Sequence, residues 1–329
     1  YPTATGKLVS VAKVTVAEGS LIQALNVFDG DEAGNISIES KSEGKVLVDV
    51  YRYVDKPWGG NETYAISDVS ETVQTNIGGS AKTRINGRNV HIRARTEMDV
   101  RSKSYTKSNT TLLNWYHPNA TVIFRVDLDT IIHAADIDAR NVLNISAYLL
   151  STYVLGHSIS EKVHKPNVNS PSVTIKGNIY GDVTFDVNTV LRANELNIKA
   201  FHPNDYNKDN QLKIERRAEC VYEQTHTFDE NTVFDTNSAE TNTKYNDPAT
   251  WAQFSQEKKF IRGTYKPEAK KENNIYYSGN IRWNSASLSG QTTPSGRMEI
   301  YLGAGATGIH VDIDANGNVR VIGLSDSVD

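Results

Sequence analysis

The chain has 329 residues, 38% of them hydrophobic, and a net charge of −4 with Lys and Arg scattered along its length. Binding nucleic acid needs a basic face to neutralise phosphates, and the sequence gives no sign of one. No run approaches eighteen apolar residues, so no membrane-spanning helix is expected, and the single Cys220 permits neither an internal disulfide nor a Cys-rich metal pattern.

In chain order, the elements read as short strands. Val46-Leu47-Val48-Asp49-Val50, Val173-Thr174-Ile175, Val183-Thr184-Phe185-Asp186-Val187, Met298-Glu299-Ile300-Tyr301-Leu302 and Ile309-His310-Val311-Asp312-Ile313 alternate with period two. That period puts one set of side chains inward and the other outward. Turn signals punctuate them at Asp29-Gly30-Asp31, Ala33-Gly34-Asn35, Asn86-Gly87-Arg88-Asn89, Lys176-Gly177-Asn178 and Asn316-Gly317-Asn318. One short helix is expected after Asp247-Pro248, with Trp251, Phe254 and Ile261 on one face. The chain opens Tyr1-Pro2-Thr3 with no methionine and no signal-like apolar region, so it reads as processed or excised from something longer.

A long-period repeat runs through the chain. Leu143-Asn144-Ile145-Ser146-Ala147 returns 53 residues later as Leu196-Asn197-Ile198-Lys199-Ala200. Asp129–Ala147 laid over Asp182–Ala200 without gaps gives six identities in nineteen positions, with Ile132 over Phe185 and Ile137 over Val190. Weaker copies lie upstream at Val90-His91-Ile92-Arg93-Ala94 and Ile36-Ser37-Ile38, the latter preceded by Leu25 and Val27. In the copy around Val90, Gly79-Ser80-Ala81 stands where the upstream apolar pair should be.

A sandwich or barrel would not require a repeat that preserves register, and a propeller would need four strands per unit. The reading that fits is all-β: a right-handed parallel β-helix (solenoid) with extra-helical loop or hairpin insertions. Equivalent positions then stack, with Leu, Ile and Val columns inside and Asn141 and Asn194 as a turn ladder. Whether one repeat makes one coil or two stays open. The whole of 1–329 reads as a single β-helix segment of a longer polypeptide, with insertions at approximately 51–82, 95–121, 201–211 and 215–275. Polar, aromatic-bearing stretches there supply Trp58, Tyr64, Trp115, Tyr116, Tyr206 and Trp251. Tyrosine and tryptophan offer large amphipathic area, so these six are candidate binding residues; solvated turns covering the flank of the helix are the plainer reading.

Motifs for chemistry are weak. Asp312 to Gly323 starts like a calcium-binding loop but has Gly323 where a bidentate Glu is needed, and it lies between strands. Asp29, Asp31 and Glu32 form an acidic turn. The eight histidines show no metal-ligand spacing, there is no Gly-x-Ser-x-Gly elbow, and 303–308 lacks the Lys-Ser/Thr of a phosphate cradle. The expectation is no catalytic residue, no metal and no cofactor. Paired carboxylates such as Asp127/Asp129 and Asp136/Asp138 keep a polysaccharide lyase or glycoside hydrolase as an alternative.

The units "AGNISIES" (33–40), "GRNVHIRA" (87–94), "ARNVLNISA" (139–147), "ANELNIKA" (193–200) and "ANGNVRVIG" (315–323) resemble the repeat cores of large bacterial filamentous adhesins of the filamentous-haemagglutinin and leukotoxin-like group. That resemblance implies a right-handed parallel β-helix on a very long secreted polypeptide, exported by two-partner secretion or as an autotransporter. It implies cell adhesion or toxicity borne on loops, and no catalytic residue carries over from it. The functional expectation is therefore a rigid, extracellular or cell-surface stalk. It would contact a host or bacterial surface glycan or protein and neighbouring segments of the same polypeptide. A self-assembling extracellular filament or surface-layer subunit is the second alternative.

Overall fold

The structure is a computed structural model that describes residues 2–24, 34–54, 60–108, 116–162, 171–201 and 212–226, together with the strand backbones 259–265, 271–278, 281–284, 288–292, 298–302, 309–313 and 318–324. All regular structure among the described residues is β. Thr3–Val16 (β1), Leu21–Gln23 (β2) and Ile36–Val54 (β3) form a first level, Asn61–Ser108 (β4) a second and Tyr116–Lys162 (β5) a third. Ser172–Asp186 (β6), Val190–Ala193 (β7), Glu195–Lys199 (β8) and Leu212–His226 (β9) form a fourth. Every pairing between consecutive levels is parallel.

The repeat sets the register. Ile36 pairs with Val90, Val90 with Leu143 and Leu143 with Leu196, so the equivalent residues lie in one column. Asn61 pairs with Tyr116, Thr83 with Ala135 and Ser108 with Lys162, offsets of 55, 52 and 54 residues. One repeat therefore makes one level of sheet. Two details differ from a gap-free alignment. Ile132 pairs with Ile77, not with the Gly79 region, because residues 79–82 stand opposite the single Ala134 at that corner; Ile137 pairs with Leu191 rather than Val190.

Each level folds back on itself. The Thr63 hydroxyl hydrogen-bonds Ser104 at 2.8 Å, Ser67 bonds Ser102 at 2.8 Å, Thr96 bonds Glu71, and Thr75 donates to the Arg93 carbonyl at 2.8 Å. Residues 63–77 thus face residues 93–106 across an interior closed by two walls. The turn between the walls carries a left-handed residue at each level: Gly19 (φ 71), Gly78 (φ 83), Ala134 (φ 37) and Asn188 (φ 64). At Gly78 a side chain is doubly barred, since a Cβ would also overlap the His133 carbonyl.

The core runs down the stack through columns such as Val69, Val73, Ile92, Leu128, Ile145, Ile175 and Ile198, all buried. Burying each such side chain contributes about 1.5–3 kcal/mol relative to leaving it exposed. Between these columns the interior is hydroxylic: Thr63, Ser67, Thr75, Thr96, Ser102, Ser104, Thr106 and Ser108 are buried with it. Unpaired buried hydroxyls are costly, and the cross-wall bonds above satisfy several of these. Residues 61–82, 95–108 and 116–121, within the stretches 51–82 and 95–121 expected as insertions, are strand; the inward positions of the first two mix hydroxyls such as Thr63, Ser67, Thr96 and Ser102 with aliphatics such as Val69, Val73 and Val100, and those of the third are Tyr116, Pro118 and Ala120. Lys176-Gly177-Asn178, expected as a turn, lies inside β6, where Gly177 leaves room for the Phe124 ring stacked beside it.

Outside, polar ladders follow the same columns. Asn89 donates to Asn35 at 2.8 Å and Asn141 to Asn89 at 3.0 Å, while the Asn194 backbone N–H reaches the Asn141 carbonyl at 3.0 Å. Beyond the fourth level, Lys259–Tyr265 (β10) is antiparallel to β9, and Lys271–Ser278 (β11) and Ile281–Asn284 (β12) lie parallel on β6. Leu288–Thr292 (β13) and Met298–Leu302 (β14) make an antiparallel pair on β7; Ile309–Ile313 (β15) and Asn318–Leu324 (β16) make another on β8. Ile261, expected on a helix, is in β10; the rest of that helix, 247–258, falls outside the described residues.

Candidate functional site

Of the six aromatic residues expected on a contact surface, Trp58, Trp115, Tyr206 and Trp251 fall outside the described residues. Tyr64 is half-buried on β4, with its hydroxyl on Glu62. Tyr116 is fully buried, and its hydroxyl donates to Ser108 at 2.9 Å. The two described residues therefore do not meet on one surface. Among the described residues no group of three or more His, Cys, Asp or Glu side chains is placed to hold a metal ion, and no helix is long and apolar enough to cross a membrane.

An open cleft of about 570 Å³ lies on the outer face of the second wall, lined among others by Glu43, Lys45, Glu97, Asp99, Ser151 and Tyr153. An irregularity in pairing lies beside it. Thr96 pairs with Leu149 but Glu97 with Ser151, so Leu150 is an extra residue in β5, a bulge next to the lining residues Glu97 and Ser151. Parallel register then brings Glu43 beside Glu97 and Lys45 beside Asp99.

Ion pairs organise the rim. The Lys41 ammonium hydrogen-bonds Glu43 and lies 3.1 Å from Glu97. The Glu43 bond first, then that to Glu97, holds Lys41 above its ordinary pKa, and the same Lys41 bond holds the Glu43 carboxyl below its own. Arg101 grips Asp99 through two bonds of 2.6 and 2.9 Å, and its guanidinium sits 4.8 Å from the centre of the Tyr153 ring. Lys213 lies 5.5 Å from the same ring centre while paired with Glu215 at 2.6 Å. Both cations draw on the ring's π-density, so Tyr153 stiffens the cleft. The cleft thus offers acceptors and donors of balanced sign on rigid strands.

A second, smaller pocket of about 240 Å³ occupies the corner and is lined by Gly79, Ser80, His133, Ala134, Asp186, Val187 and Asn188. Ser80, His133 and Asp186 follow one another at intervals of 53 residues in the sequence, although the strand partner of His133 is Gly78 and Ser80 stands in the longer corner beside it; His133 Nδ1 is hydrogen-bonded to Asp186. The repeat spacing was the signal that could have found this trio, which no local motif marks. The residue types are those of a hydrolytic triad, but the electrostatics oppose that use. The N–H groups of Ser80 and Ala81, which could stabilise an oxyanion, are bonded at 2.6 and 3.1 Å to the Glu18 carboxylate. A negative charge already fills the place where one would have to develop.

No family model, curated protein or solved structure matches this chain.

Proposed function

We propose that the chain is a segment of a right-handed parallel β-helix from a secreted or surface-exposed bacterial filament of the filamentous-haemagglutinin and leukotoxin-like kind, acting as a stiff stalk that presents contact surfaces. The observation that carries this reading is the four-level stack itself. Each repeat of roughly 53 residues supplies one level, and all four levels pair in parallel register with a folded-back interior. A stack of this kind grows by adding levels and stays stiff, because every level is hydrogen-bonded to the next and shares its core. Function then rests on outward features. The cleft around Glu97, Asp99 and Tyr153 has donors and acceptors in balance and suits a neutral, hydroxyl-rich ligand, so a surface glycan is the expected contact.

Two measurements on the isolated chain test this reading. Small-angle X-ray scattering should give a particle clearly longer than wide, and a glycan array should report binding that falls at least tenfold in Asp99→Ala. A compact, near-isotropic particle would sink the stalk. An elongated particle with no glycan binding, or binding unaffected by Asp99→Ala, would retain the stalk and remove the cleft as its contact.

A further inference from the structure

The corner between the walls differs in length from level to level. Ile77 pairs with Ile132 and Ile132 with Phe185, while Arg84 pairs with Asp136 and Asp136 with Val190. Between these columns the second level has residues 78–83, the third only 133–135 and the fourth 186–189. The third level is therefore recessed between two longer neighbours, and the corner pocket of about 240 Å³ is the notch this leaves. Ala134, buried, lies at the recessed level with its backbone in the left-handed region (φ 37), a strained conformation for alanine that so short a corner imposes.

Both rims of the notch are held in place. On the second level, the Glu18 carboxylate accepts the Ser80 and Ala81 N–H groups at 2.6 and 3.1 Å, and Gly79 leaves it room, since a Cβ there would lie 2.7 Å from the same oxygen. On the fourth level, Asn188 takes a left-handed conformation (φ 64) that asparagine tolerates, and Val187 keeps 47% of its surface exposed. The Asp186 carboxylate accepts from His133 Nδ1, so Nε2 of the neutral ring is an acceptor. The Ser80 hydroxyl, His133 Nε2 and the Asn188 side-chain amide make no hydrogen bond with another described residue. Nearby charges are already engaged: Glu18 by two N–H groups, Asp186 by His133, and Lys82 by Asp136 at 3.8 Å. The notch thus presents uncharged donors and acceptors on one side and the apolar surface of Ala134 and Val187 on the other.

We infer that this notch binds a single uncharged pyranose unit. A sugar ring has the same division of surface: hydroxyls around its edge that both donate and accept, and C–H groups on a face that can lie on Ala134 and Val187. His133 Nε2 accepts from one hydroxyl, the Asn188 amide donates to and accepts from its neighbour, and the Ser80 hydroxyl serves the opposite rim. The size agrees, being below the roughly 300–1,000 Å³ of pockets that enclose drug-sized ligands, so one ring fits and a chain of sugars does not. An acidic sugar fits worse, because its carboxylate would meet the carboxylates of Glu18 and Asp186. This inference stands on the corner alone and is separate from the cleft around Asp99, so either can fail without the other.

The test is NMR on the full chain with the methyl glycosides of glucose, galactose, mannose and N-acetylglucosamine as probes, and glucuronic acid beside them. At least one methyl glycoside should show saturation transfer from the protein and shift the ring nitrogen resonances of His133, which are assigned by their loss in His133→Ala. Asn188→Gly removes the amide and keeps the turn, because glycine adopts positive φ without strain. Binding should weaken at least tenfold in Asn188→Gly and in His133→Ala and stay unchanged in Asp99→Ala. Circular dichroism checks the fold of each variant, and if His133→Ala loses the native spectrum, Asn188→Gly decides. Failure of all four glycosides to bind overturns the inference, as does binding of glucuronic acid alone, or glycoside binding that persists undiminished in a folded corner variant. Binding lost in Asp99→Ala but kept in the corner variants places the sugar in the cleft, which overturns the corner site and leaves the reading of the cleft standing.

Discussion

Glu71 is the residue least expected from its surroundings. It points into the interior with no exposed surface; Thr96 bonds one oxygen, and the other, Oε1, has no hydrogen-bond partner. Burial pushes its pKa above the ordinary carboxyl value, only partly opposed by the hydroxyls of Thr96 and Ser42. The folded state therefore holds this proton more tightly than the unfolded chain does. The stability linked to it is complete below the unfolded-state pKa and is lost as pH rises through the higher folded-state value. Glu71→Gln, which cannot ionise, should raise the denaturation midpoint at neutral pH and flatten its pH dependence between the two values; equal midpoints for both chains at pH 4 and pH 8 would contradict this. Gly177 gives a second residue-scale prediction. A Cβ there would overlap the Phe124 ring, so Gly177→Ala should destabilise by about 1–3 kcal/mol in urea titration.

At the scale of elements, β4 shows how a strand of 48 residues escapes a reading by hydropathy. Its inward positions run Thr63, Ala65, Ser67, Val69, Glu71, Val73, Thr75, Ile77, so every second inward residue is polar and the apolar–polar alternation is broken. The bonds that satisfy these polar groups come from the facing wall, some 18–43 residues away in sequence, beyond the reach of a short local window. The cross-wall pairs should behave as units. Ser67→Ala and Ser102→Ala, singly, should each cost about 0.5–1.5 kcal/mol, because each removes the buried cross-wall bond while the remaining hydroxyl keeps its bond to a carbonyl, Arg101 for Ser67 and Thr121 for Ser102. The double substitution should cost clearly less than the sum, measured as a double-mutant cycle.

For the molecule as a whole, the stack implies a gradient of order. β4 and β5 are paired along both edges, whereas β1 is paired along one among the described residues. Native-state hydrogen exchange should show amides at 90–94 and 143–147 opening only near the global unfolding free energy, and amides on the free edge of β1 exchanging much sooner. Uniform protection across levels would contradict this gradient.

The sequence by itself determined the all-β class and the columns Ile36–Val90–Leu143–Leu196, because aliphatic residues inside a stack must recur at a fixed spacing whatever lies between them. It left the identity of a level open, since hydrophobic spacing is the same for one coil or two. Only the tertiary structure decided that one repeat makes one level, that residues 61–82 and 95–108 belong to the walls, and that Ser80, His133 and Asp186 share a corner. Each of these depends on which backbone groups pair across more than 50 residues of chain, or on hydroxyls that become interior only when a facing wall exists to bond them.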